Sequence, residues 1–80
     1  MKTTGQVLLE ACARRSWSQA ELARRSGIHS SKINRLVKNK NTLSLQHAKT
    51  LADLFAESPQ TGEPESYLEW LGELTQASVN

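Results

Sequence analysis

The chain has 80 residues, 38% hydrophobic and 22% charged, with a formal net charge of +2. That length holds one domain, near the lower size at which a core forms without disulfides or a structural metal, and the single cysteine, Cys12, cannot form an internal bridge. No stretch approaches the roughly 18 apolar residues of a membrane span, and the opening M-K-T-T-G-Q-V-L-L-E lacks the apolar run of a signal peptide, so a soluble cytoplasmic protein is expected.

Taken in chain order, Thr3 or Thr4 is placed to cap a first helix whose Val7, Leu8, Ala11 and Cys12 form one apolar stripe ending at Arg14 and Arg15. Ser18 stands three residues before Glu21, the spacing of a capping box, and Trp17 and Leu22 occupy the positions of a hydrophobic staple. The second helix therefore begins at Ser18, with Leu22, Ala23 and Ser26 on one face. Gly27 ends it, because a sharp turn needs positive φ and glycine has no Cβ to resist it. Ile28, Ile33, Leu36 and Val37 resume the apolar pattern on a third helix, and so short a turn joins two crossed helices over about residues 18–38.

Ser44 caps a fourth helix, in which Leu45, Ala48, Leu51, Ala52 and Phe55 recur at i, i+3, i+4 spacing. The stretch E-S-P-Q-T-G-E-P-E then breaks the periodicity with two prolines and a glycine. Pro64 suits the first turn of a fifth helix, where a missing N–H is harmless, and Tyr67, Leu68, Trp70, Leu71 and Leu74 carry its apolar side over about 64–75. No useful period-2 alternation occurs. The expected fold is all-α, a bundle of about five short helices in one domain over residues 1–76, with 77–80 as a frayed tail.

The segment S-Q-A-E-L-A-R-R-S-G-I-H-S-S-K-I-N-R-L resembles the helix-turn-helix of the Cro and phage-repressor regulators, the XRE family. Gln19, Leu22, Ala23, Gly27, Ile28, Ile33 and Leu36 fill the family's pattern in order and spacing. Val37 and Asn39 stand where the family usually has glutamate and glycine, and asparagine tolerates the left-handed turn next best to glycine. The likeness continues over L-S-L-Q-H-A-K-T-L-A-D-L-F as the family's fourth helix and fades after Ser58. It implies a lambda-repressor-like DNA-binding domain that binds two half-sites of an operator as a symmetric homodimer. It places base contacts at Ser30, Ser31 and Arg35.

Helical geometry gives the same face independently. At about 100° per residue, Ile33, Leu36 and Val37 turn to the core, leaving Ser31, Arg35 and Lys38 outward with Lys32 and Asn34 on the flanks. Ser30, Ser31, Lys32, Asn34 and Arg35 are thus the base-reading candidates, Arg35 first because a guanidinium can bond O6 and N7 of guanine together. Ser18 and Gln19 are expected at phosphate beside the second helix's free N–H groups, with Lys38, Asn39, Lys40 and Asn41 on the neighbouring backbone. His29 is read as a cap of the third helix or a phosphate contact, and one of Ser30 and Ser31 as a cap.

Charge supports this division. Residues 1–41 carry nine basic side chains against Glu10 and Glu21, a net +7, whereas 42–80 carry Lys49 against six acidic groups, a net −5. The basic half suits DNA phosphate; the acidic half is best held away from it.

Cys12, His29 and His47 lack metal-ligand spacing, and no phosphate-cradling glycine loop or nucleophile group is evident, so neither metal, cofactor nor enzymatic activity is expected. Tyr67, Trp70, Leu71 and Leu74 on the fifth helix are the candidate dimer contacts, since aromatic residues are enriched at interfaces; closure of the monomer's own core is the alternative for Tyr67 and Trp70. The expected function is that of a Cro-like repressor occluding a promoter. An antitoxin that also masks a toxin, a controller of restriction-modification genes and a protein-interaction module that does not bind DNA remain alternatives.

Overall fold

The apolar periodicity folds into five helices, α1 (Thr4–Arg15), α2 (Gln19–Ser26), α3 (Ser30–Val37), α4 (Leu45–Glu57) and α5 (Tyr67–Gln76). The structure, a computed structural model, describes residues 2–57 and 66–76. The tail 77–80 and the proline-containing stretch from Ser58 through Glu65 lie outside the described residues.

Each start is set by a side chain that accepts an otherwise orphaned N–H. Thr3 closes a full capping box on α1: its hydroxyl accepts from Gln6 N at 3.2 Å, and Gln6 Oε1 accepts from Thr3 N at 2.9 Å. Ser44 accepts from His47 N at the start of α4, and Ser66 from Glu69 N at the start of α5. The described part of the fifth helix opens at Tyr67, after Ser66, whose side chain satisfies its first turn; Pro64, expected in that first turn, lies outside the described residues. At α2 only half of the anticipated box forms. Ser18 Oγ accepts from Glu21 N at 3.1 Å, but the Glu21 carboxylate is turned to Arg24 and Arg25.

Three helices end on a left-handed residue, and only one of these is glycine. Gly27 ends α2 at φ 75°, Ser16 ends α1 at φ 58°, and Asn39 follows α3 at φ 59°. Around Ser16 and Asn39 the returning N–H groups close Schellman-type bonds: Trp17 N to Cys12 O at 2.9 Å, and Lys40 N to Arg35 O at 2.9 Å.

Packing is driven by one core. Leu8, Leu22, Ile33, Leu36, Leu51 and Phe55 have no exposed surface, and Leu74 retains 1%. Burying each such side chain is worth about 1.5–3 kcal/mol, against at most about 1 kcal/mol for an exposed ion pair, so apolar burial and not surface charge selects this arrangement. Helix α4 lies against α5 and α2, while α3 is held between α2 and α1. Trp70 is 2% exposed and rests on Phe55, with ring centroids 4.8 Å apart. Trp70 and Leu74 therefore belong to the monomer's core, and the expectation that they meet a second chain is corrected: neither retains surface to offer. Tyr67 and Leu71 are half-buried against that core.

A charged group sits among these rings. Arg15, 9% exposed, donates to Ala11 O at 2.9 Å and to Phe55 O at 3.0 Å. Its guanidinium lies 4.9 Å from the Phe55 ring centroid, 5.6 Å from Trp70 and 5.7 Å from Trp17, within cation–π range of all three. The end of α1, the last turn of α4 and the middle of α5 thus meet at one cation.

Candidate nucleic-acid interface

The turn at Gly27 delivers α3 with one face in the core and the other free. Ile33 and Leu36 are completely buried, whereas Ser30, Ser31, Arg35 and Lys38 are exposed and Lys32 and Asn34 half-buried. The residues expected on the reading face thus lie on the side of α3 away from Ile33 and Leu36, and Ser18 and Gln19, at the start of α2, are also exposed. Asn34 Nδ2 donates to Gln19 Oε1 at 3.3 Å, the one side-chain hydrogen bond between α2 and α3 among the described residues.

The cap of α3 is His29, not Ser30 or Ser31. Its Nδ1 accepts from Ser31 N at 3.2 Å and lies 2.9 Å from Ser31 Oγ. An imidazole nitrogen can accept only where it carries no proton, so a capping Nδ1 places the ring hydrogen on Nε2. Ser30 Oγ is left free for another partner, while Ser31 is partly occupied.

The basic half divides into committed and available charges. Glu21 holds Arg24 and Arg25, and Arg25 also stacks 4.7 Å from the centroid of Trp17. Lys2 pairs with Glu10 at 2.8 Å, and that carboxylate raises the lysine pKa above its usual value. Arg15 is buried. Lys32, Arg35, Lys38 and Lys40 make no ion pair among the described residues, and all four sit on α3 or immediately after it. The excess positive charge is thereby concentrated at the exposed face.

Asn39 departs from its expected role as a phosphate contact. Its Oδ1 accepts from Gly5 N at 2.8 Å and its Nδ2 donates to Thr3 Oγ1 at 3.3 Å, so the side chain is engaged with the first turn of α1. Gly5 makes that approach feasible: a Cβ there would lie 2.1 Å from Val37 O. The end of α3 is thus clamped to the start of α1, and Lys38 and Lys40 flank the clamp with exposed side chains. Asn41 is half-buried. Sequence reasoning missed both Gly5 and Arg15. A glycine in the first turn of a helix, where it weakens the helix, was the available signal for the former; nothing local announces the latter, because its rings come from three separate segments.

Two crossed helices around a left-handed glycine, with a cation-bearing polar face on the second, define a helix-turn-helix DNA-binding module. The chain belongs to the family of the Cro/C1-type HTH DNA-binding domain, whose sequence profile matches residues 7–61. No curated protein and no solved structure matches the chain. The matched span covers α1 from Val7 on, all of α2 to α4 and the available cations, and stops short of α5. Among the described residues, no helix is long and apolar enough to cross a membrane, and no three or more His, Cys, Asp or Glu side chains gather as a metal site.

Proposed function

We propose that the chain is a sequence-specific transcriptional repressor of the Cro sort, laying α3 in the major groove of an operator and covering a promoter against polymerase. The observation that carries this reading is the outward face of α3: exposed and polar over Ser30, Ser31, Arg35 and Lys38 while the opposite face is wholly in the core. Arg35 makes the bidentate guanine contact, with Ser30, Ser31, Lys32 and Asn34 reading beside it. Ser18, Gln19, Lys38, Lys40 and Asn41 hold phosphate. Asn39 is left out of that set because its side chain serves α1.

The longest dimension of the chain, 28 Å, is below the roughly 34–36 Å that separates successive half-sites on one side of DNA. One copy therefore covers one half-site, and a symmetric pair covers the operator. Leu68, 75% exposed between half-buried Tyr67 and Leu71, makes α5 the natural element for pairing. Selection of bound duplexes from a random pool tests the whole reading: enrichment of an inverted repeat with about one helical turn between half-site centres is expected. Recovery of a pool as random as the input would overturn it.

A further inference from the structure

Gly27, Ile28 and His29 form the turn of the motif, and of these only His29 can change its charge. It opens α3 where serine, threonine, asparagine or aspartate is the usual cap. Its Nδ1 accepts from Ser31 N at 3.2 Å and lies 2.9 Å from Ser31 Oγ. A backbone N–H can only donate, so this bond needs a ring nitrogen with a bare lone pair. Protonation fills that lone pair. The ring can then still donate to Ser31 Oγ, but Ser31 N–H is left without an acceptor.

The surroundings do not compensate. On α1 and α2, the helices that hold α3, the carboxylates are Glu10 and Glu21, and they are already engaged by Lys2 and by Arg24 and Arg25. The remaining charged groups on these elements are cations: Arg14 and Arg15 on α1, Lys32 and Arg35 on α3. An imidazolium at the start of α3 also opposes the helix dipole. A helix as short as α3 forms few internal bonds and depends on its caps, and Ser30 and Ser31 lie in the turn that this cap holds. We propose that His29 is a positioning residue for base recognition, and a pH-sensitive one. Neutral, it caps α3 and fixes Ser30 and Ser31; protonated, it releases them, so base reading weakens as pH falls through the range in which histidine changes charge, about 5 to 8. The proposal rests on the DNA-binding reading above and adds a regulation to it. Attraction to random duplexes moves the other way, since each chain gains a positive charge. Acid therefore lowers selectivity rather than binding as a whole.

His47, the other histidine, is the competing source of a pH effect: it lies on α4, where its Nδ1 is buried with no hydrogen-bond partner among the described residues. His29→Ser supplies a cap that does not titrate, His29→Ala removes the cap at every pH, and His47→Gln removes the other imidazole. His29 is exposed and outside the core, so its variants are expected to fold. A duplex is selected from a random pool with the parent protein at about pH 8, and its affinity relative to a random duplex is measured for each protein at about pH 8 and about pH 5.5. The parent's preference is expected to fall roughly fivefold on acidification, the size of a typical N-cap contribution. His29→Ser should keep its preference at both pH values, His29→Ala should show the reduced preference at both, and His47→Gln should follow the parent. In the free protein, the Ser31 amide resonance should shift together with the His29 ring signals through the titration. A preference that does not change with pH in the parent, a change that survives in His29→Ser, or a Ser31 amide that stays still while the His29 ring titrates would overturn the proposal while leaving DNA binding intact. Failure of the parent to enrich any duplex would instead overturn the DNA-binding reading, and the link of the cap to recognition with it.

Discussion

Gly5 and Gly27 are glycines for different physical reasons, and substitution separates them. At Gly27 a Cβ meets nothing within 4 Å, but φ is 75°, so Gly27→Ala incurs only backbone strain. A loss of about 1 kcal/mol is expected in thermal or urea melts. At Gly5 the backbone is ordinary helix and the obstacle is Val37 O at 2.1 Å. Gly5→Ala has to push α1 off the end of α3, with a loss of roughly 2–3 kcal/mol and loosening of the clamp at Asn39. A Gly5→Ala variant as stable as the parent would show that the two helix ends do not meet this closely. Cys12, 6% exposed, is a second case in which burial decides: it pushes the thiol pKa up. The folded chain therefore holds the proton at a pH where the unfolded thiol has lost it, so the stability linked to this group is present below its ordinary pKa and declines as pH rises above it. Cys12→Ala should flatten the alkaline limb of the stability curve, and alkylation of the native thiol should be slow until the chain is unfolded.

The helices themselves were largely legible from periodicity and caps. Ser18, Ser44 and Gly27 act where their chemistry requires. The shortfalls arose where several groups compete for one side chain or one cap. Glu21 was free to close the capping box until Arg24 and Arg25 claimed it; at α3 the cap read for His29 is the one that forms, and the one read for Ser30 or Ser31 is not. Helix α5 shows the same limit at larger scale. Its sequence alone left Trp70 divided between core and interface, and the choice was settled by Phe55 and Arg15, which lie far from it along the chain. Trp70→Ala should therefore cost roughly 3–5 kcal/mol of stability, detached from any effect on self-association. Leu68→Glu should do the reverse, leaving melts nearly unchanged while sedimentation shifts toward monomer. If Leu68→Glu leaves the oligomer untouched, α5 is not the pairing element.

At the scale of the whole molecule, the charge division in the sequence overstates the cations that the fold leaves unpaired. Arg15 is internal, Lys2, Arg24 and Arg25 face carboxylates, and Arg14 has a partner too, so of the nine cations of residues 1–41 Lys32, Arg35, Lys38 and Lys40 remain without an ion pair among the described residues. With about six phosphates neutralised by a pair of chains, the log–log slope of affinity against salt should be about −5. Lys40→Ala should weaken cognate and random duplexes alike and flatten that slope by roughly one unit for each phosphate that is no longer neutralised. Asn39 was legible as a left-handed residue but not as the partner of Gly5, because the pairing becomes visible only once α1 and α3 are side by side.

The central claim is that the outward face of α3 reads bases, and Arg35 is its most demanding element. Competition titrations of Arg35→Ala against the selected duplex and a random duplex test it most directly. Loss of roughly 1–3 kcal/mol on the selected duplex, relaxed preference at one base pair of each half-site and a much smaller loss on the random duplex are predicted. Equal weakening of both duplexes would make Arg35 a backbone contact and contradict the assignment of that face to the bases.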